Sequence, residues 1–176
     1  DNMCLTPKSL GVYQHGGYAT HVVAPEPRHL VPVGNLDPAL AATYACSGIT
    51  VFSAINKVLP MPPDEPIVLI GAGGLGTETA RSAFDALRKG GKLVQVGLFG
   101  GELAVPLPMM PMRALTIQGS YVGNVKELRE LVGIAQKGGL PGIPVTQMPL
   151  NQANEALNRL KDGKVTGRIV LTAEGL

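Results

Sequence analysis

Two groups of residues in this 176-residue chain could do chemistry: a glycine-rich turn at 71–76 and a cysteine at position 46. Pro66-Ile-Val-Leu-Ile70 reads as an apolar strand that empties into Gly71-Ala-Gly-Gly-Leu-Gly76, and Thr77-Glu-Thr-Ala80 starts a helix directly after it. In such a turn Gly71 permits the tight bend, Gly73 lets backbone come close to a pyrophosphate, and Gly76 lets helix and strand pack closely. Phosphates would rest on N–H groups at the positive end of the helix dipole. The implied chemistry is the holding of a nucleotide cofactor. A purely structural turn is the competing reading, because 23 of the 176 residues are glycine and such spacings arise by chance. Cys46, in Ala45-Cys-Ser-Gly48, offers a thiolate to a metal or, read by itself, a small buried hydrophobe.

One element of a dinucleotide site is absent from its usual place. An acid about 20 residues beyond the glycines would hold the ribose hydroxyls. Leu93-Val-Gln-Val-Gly97 carries none; Asp85 lies inside the preceding helix and Glu102 comes late.

The elements that must position these groups follow from local signals. Gly16 to Ala24 alternates like a strand, and Pro25, Pro27 and Pro32 punctuate a loop after it, so the first ~35 residues read as strand and loop. Asp37-Pro38 is a helix start, an N-cap followed by proline at the first helical position. The helix runs toward Cys46 and breaks near Gly48, and a second segment carrying Ile49, Phe52, Ala54 and Ile55 ends at Pro60, Pro62, Pro63 and Pro66. Beyond the glycine turn, Leu75 to Lys89 reads as helix, stopped by Gly90 and Gly91. Lys92 to Gly97 is a strand, Met109 to Met112 a loop, and Leu115 to Ser120 a further strand. Asn124 caps a helix through Gln136, Val145 to Met148 is a short strand, Asn151 starts a helix, and Arg168 to Thr172 is the last strand. This alternation predicts a parallel sheet of βαβ units.

Composition narrows the function classes. A hydrophobic fraction of 45% and a charged fraction of 16% describe a chain able to bury a core. The net charge is +2 and no lysine or arginine run is present, so no nucleic-acid footprint or polybasic membrane patch is visible. No apolar stretch reaches the ~20 residues of a membrane span, and residues 1–8 carry no signal-peptide pattern, which leads to the expectation of a cytoplasmic protein. Two cysteines, Cys4 and Cys46, are too few for a disulfide framework. His15, His21 and His29 stand in no ligand motif and read as surface or half-buried positions. Met109, Met110 and Met112 read as gap fillers.

Taken in order, seven blocks resemble the zinc-dependent medium-chain alcohol dehydrogenases: Asp1 to Cys4, Gly16 to Thr20, Ala45 to Thr50, Gly71 to Gly76, Gly90 to Leu98, Gly119 to Gly123, and Gly163 to Arg168. The resemblance implies a Rossmann-type doubly wound parallel sheet, incomplete here, plus part of a β-rich GroES-like catalytic domain. Residues 1–45 would be the C-terminal part of that catalytic domain, 46–150 the cofactor domain, and 151–176 a return to the catalytic domain. Family members are longer, and Thr77-Glu-Thr-Ala80 passes into Arg81-Ser-Ala-Phe84 as though an internal segment were missing between 80 and 81.

The same resemblance assigns roles. Cys46 stands where the family has a catalytic zinc ligand, and Cys4 resembles the last cysteine of the structural zinc lobe. A zinc would act as Lewis acid on the alcohol, from which hydride passes to nicotinamide. Thr50 resembles the residue that packs on the nicotinamide ring. Gly71, Gly73, Gly74, Leu75 and Gly76 would cradle the pyrophosphate, and Arg168 would pair with it. Val96, Gly97 and Leu98, with Ser120 and Val122, resemble the backbone contacts to the carboxamide. On spacing alone, Thr50 is equally a helix residue, Val96 and Val122 core strand positions, and Arg168 a solvated charge. The implied cofactors are zinc and NAD, the implied substrate a primary or secondary alcohol or its carbonyl product, and the implied assembly a homodimer or homotetramer. A polyol dehydrogenase of the same superfamily and a nucleotide-binding module without catalysis are the alternatives.

Overall fold

The computed structural model describes residues 2–61, 76–98 and 100–173 of the chain. In chain order its helices are α1 (Pro38–Ala42), α2 (Ser47–Val58), α3 (Gly76–Asp85), α4 (Met109–Arg113), α5 (Val125–Gln136) and α6 (Ala153–Lys161), and its strands β1 (Lys92–Gln95), β2 (Thr116–Gly119), β3 (Val145–Pro149) and β4 (Arg168–Thr172). The chain divides into two compact units, Asp1–Ile49 with Gly123–Leu176, and Thr50–Val122.

In the first unit Asp37 caps α1 as its place before Pro38 predicts: its carboxylate accepts the Ala39 N–H at 3.2 Å. A 3-10 turn, Thr43–Ala45, continues from α1 and packs on α5. α5 begins with a complete capping box. Asn124 Oδ1 accepts the Glu127 N–H at 3.0 Å, and Glu127 Oε2 accepts the Asn124 N–H at 2.9 Å, so two N-terminal donors are satisfied reciprocally. The apolar stripe of α5, Leu131, Val132 and Ala135, joins Ala39, Ala41, Tyr44 and Ile49 in the core. The parallel pair β3–β4, registered Val145 on Arg168 through Pro149 on Thr172, lies against α1 and α6. Gly167, at φ +86°, makes the entry into β4 possible, because a Cβ there would collide with the Pro144 carbonyl oxygen. That oxygen accepts the Arg168 N–H at 2.9 Å and so opens the strand pair.

In the second unit β1 and β2 pair in parallel, Lys92 on Thr116 through Gln95 on Gly119. Phe84, on α3, is the largest fully buried side chain among the described residues, with Leu115 and Ala54 also in this unit's core. Burying a side chain of that size is worth ~1.5–3 kcal/mol. α3 carries the Ala80–Arg81 junction in its middle.

The predicted α/β character and parallel pairing are present as two short two-stranded sheets among the described residues; the expected strand at 66–70 lies outside them. Four local expectations are corrected. Gly16 to Ala24 forms no strand: Tyr18, Val22 and Val23 are exposed, and no neighbouring strand among the described residues offers that backbone a ladder. The helix break falls at Cys46 (φ −129°, ψ −75°) rather than Gly48. Gly48 sits inside α2, where an added Cβ would be 3.1 Å from Tyr44 Cδ1 and 3.3 Å from Leu131 Cδ2, so its smallness serves packing. The helix expected through Lys89 ends at Asp85, where the Leu87 N–H turns to the Phe84 carbonyl at 3.2 Å in a tighter i to i+3 bond. Met109–Arg113 is a helix rather than a loop. Pro111 is tolerated because the donor it lacks is one of the first-turn N–H groups that have no intrahelical partner.

Among the described residues no single helix is long and apolar enough to cross a membrane.

Candidate functional site

Cys46 stands between the 3-10 turn and α2, and its thiol side is exposed to solvent, so the reading of it as a buried small hydrophobe does not hold. Thr50 follows in the first turn of α2, half-buried. A catalytic zinc takes three protein ligands and leaves a fourth position open. Among the described residues no three His, Cys, Asp or Glu side chains converge so as to hold a metal ion. Cys46 is a single donor, and these residues do not by themselves fit a zinc site. Cys4 is exposed too; hydrogen bonding with Thr6, through its backbone first and then its hydroxyl at 3.8 Å, holds the thiol below the ordinary value. His15 and His21 line an open hollow of about 700 Å³ formed within residues 10–25.

Of the cofactor residues, Gly71, Gly73, Gly74 and Leu75 lie outside the described residues, and Gly76 is the first residue of α3. The two backbone segments expected to hold a carboxamide are brought together. Val96, Gly97 and Leu98 leave the carboxyl end of β1, and Ser120 to Val122 leave the carboxyl end of β2 beside it. The Ser120 N–H donates to the Gln95 carbonyl at 2.8 Å, so the two exits stay joined one residue beyond the ladder. Val96 is half-buried, and Gly97 and Leu98 are exposed. In open α/β sheets ligands bind outside the carboxyl ends of parallel strands. Val122 takes φ +48°, a left-handed conformation that a β-branched residue rarely adopts. Arg168, the first residue of β4, is exposed in the other unit, where its guanidinium donates to the Gly167 carbonyl at 3.1 Å.

Sequence reading missed a network at this strand end. Lys57, on α2, donates from Nζ to Ser53 Oγ at 2.8 Å and to Ser120 Oγ at 3.1 Å. Ser53 and Lys57 are four apart on one helix face, a spacing visible in the sequence. Their meeting with Ser120, 63 positions away, is not.

Comparison with known proteins places the fold and the family of the chain. Residues 66–171, more than half of the chain, match the family described as zinc-binding dehydrogenase. The NAD-dependent alcohol dehydrogenase of Sulfurisphaera tokodaii is 25% identical over 238 aligned positions that take in 97% of this chain and 68% of that protein. Those positions outnumber the 176 residues here, so the relative carries segments within the aligned region that this chain lacks. Among solved structures, the alcohol dehydrogenase of Aeropyrum pernix is 25% identical with a TM-score of 0.61, over 75% of this chain and 57% of that one. An NAD-dependent alcohol dehydrogenase, 21% identical, shares the fold with a TM-score of 0.76 over 98% of this chain and 70% of its own. With residues 66–171 matching the family and the relatives aligned across nearly the whole chain, this protein belongs to the zinc-binding, medium-chain alcohol dehydrogenase family.

Proposed function

We propose that this chain carries the cofactor-binding part of an NAD-dependent zinc alcohol dehydrogenase that interconverts a primary or secondary alcohol and its aldehyde or ketone. The observation that carries the reading is the family match over 66–171, which takes in the glycine turn, the β1–β2 pair, and β3 with all but the last residue of β4. The relatives named NAD-dependent alcohol dehydrogenase support the choice of cofactor. A bound nicotinamide supplies the hydride acceptor.

This chain's own residues would bind and orient. Gly71 to Gly76 would receive the pyrophosphate, and the exits of β1 and β2 at 96–98 and 120–122 would hold the carboxamide and so fix which ring face is presented. Thr50 would pack against the ring. Cys46 would supply one ligand to a catalytic zinc. A dimer or tetramer belongs to the same proposal.

Fluorescence titration of the purified chain with NADH, together with zinc analysis and an alcohol-oxidation assay, tests it. NADH binding at micromolar concentration is the expected result, and absence of binding overturns the cofactor reading. Cys46→Ala should lower bound zinc; unchanged zinc and unchanged turnover in that variant would rule out the metal assignment. The second reading, a nucleotide-binding module without catalysis, is favoured by the single donor at Cys46, and NADH binding with neither zinc nor turnover is the outcome that selects it.

A further inference from the structure

Three oxygen atoms and no carboxylate surround the Lys57 ammonium among the described residues: Ser53 Oγ at 2.8 Å, the Ser53 carbonyl at 3.4 Å and Ser120 Oγ at 3.1 Å. Ser53 is 1% exposed and Ser120 6%, while Lys57 is half-buried. A lysine on a helix surface ordinarily keeps its head in water, and drawing it onto neutral hydroxyls costs hydration that no carboxylate among the described residues returns. Here that cost ties α2 to one spot, the residue directly after the last residue of β2.

Ser120 occupies a pivotal place. Its N–H is held by Gln95 at 2.8 Å and its hydroxyl by Lys57, so both its backbone and its side chain are fixed. Two residues later Val122 is held at φ +48°. A non-glycine residue in that region costs ~1–3 kcal/mol and persists only where the surroundings over-determine it. Ser120 is the fixed point two residues before it, and the strained turn sits at the carboxyl end of a parallel strand, where α/β sheets take their ligands.

We propose that Lys57 is a positioning residue which, through the Ser120 hydroxyl, fixes the 120–122 turn for contact with the amide-bearing nicotinamide end of the dinucleotide. The inference rests on the NAD reading above and adds to it a residue that does not itself touch the reacting atoms. Removing the ammonium should loosen the turn and weaken the nicotinamide end of the ligand, leaving the adenosine and pyrophosphate end untouched.

The test compares NADH with ADP-ribose, which lacks the nicotinamide, by calorimetry or competition on the unsubstituted protein and on Lys57→Met. NADH affinity should fall roughly tenfold, the scale of one lost charged hydrogen bond, with ADP-ribose affinity held within about twofold. Equal weakening of both ligands would mark Lys57 as a structural residue only, and unchanged NADH affinity would show that the turn does not need it; either overturns the inference. If Lys57→Met does not fold, Ser120→Ala breaks the same link and leaves α2 intact, and the same NADH-selective loss is expected, its absence being equally fatal. Failure of the unsubstituted protein to bind either ligand overturns the cofactor reading and this inference with it, whereas normal binding with an indifferent variant overturns the inference alone.

Discussion

A Cβ added to Gly123 would stand 2.6 Å from Ile49 Cγ1 and 3.0 Å from Glu127 Oε2, so the chain passes between the base of α2 and the capping box of α5 with room for a hydrogen only. Ile49 is 3% exposed and its Cγ1 lies close to its own helix backbone, so it cannot swing aside as the tip of a long side chain could. Gly123→Ala should therefore destabilise the first unit by ~1–3 kcal/mol, the usual cost of overpacking a filled core. Urea denaturation gives the value; a midpoint within error of the unsubstituted protein contradicts the packing described.

The capping box makes a graded prediction. Asn124→Ala removes the acceptor of the Glu127 N–H, held at 3.0 Å, and should lower stability by ~1 kcal/mol. Glu127→Gln keeps an acceptor for the Asn124 N–H and should cost much less, because glutamine also serves at this position of the box. If the two variants lose equal stability by chemical denaturation, charge at the helix N-terminus outweighs the reciprocal hydrogen bonds.

Phe84 anchors the second unit. It is 2% exposed, and Phe84→Ala should cost ~3–5 kcal/mol, a large share of a domain's total stability. Hydrogen exchange should accelerate across α3 and the β1–β2 pair; protection unchanged in β1 and β2 would show that they draw their stability from elsewhere.

Cys46 and Cys4 are both exposed, so a bulky thiol reagent should modify two cysteines per native chain stripped of zinc by a chelator. Cys46→Ser should reduce the count to one without denaturant. Labelling of Cys46 only after unfolding would contradict the exposure described here.

Much of the secondary structure was legible because its causes are local. Asp37 before Pro38, Asn124 three residues before Glu127, and the run Arg168–Thr172 each carry their own signal within a few residues, and each stands where its signal places it; the strand expected over Lys92 to Gly97 is present but ends at Gln95. Gly16 to Ala24 failed for the opposite reason: alternation describes a strand's two faces but does not supply the neighbour whose N–H and C=O groups complete it. Met109–Arg113 is hard to read as a helix because proline so often ends one, while at the first turn of a short helix it removes nothing the helix uses. Gly48 reads locally as punctuation, yet its role is to admit Tyr44 and Leu131 at close range.

From residue order alone came the family, the parallel βαβ character and the candidate ligands, since short-range patterning and ordered motif blocks are properties of neighbours along the chain. Folding in three dimensions decided that Cys46 faces solvent, that the β1 and β2 exits lie side by side, and that Lys57 meets Ser120 across 63 positions. A hydrogen bond of that sequence separation depends on how a helix packs beside a strand end, and no local propensity encodes it.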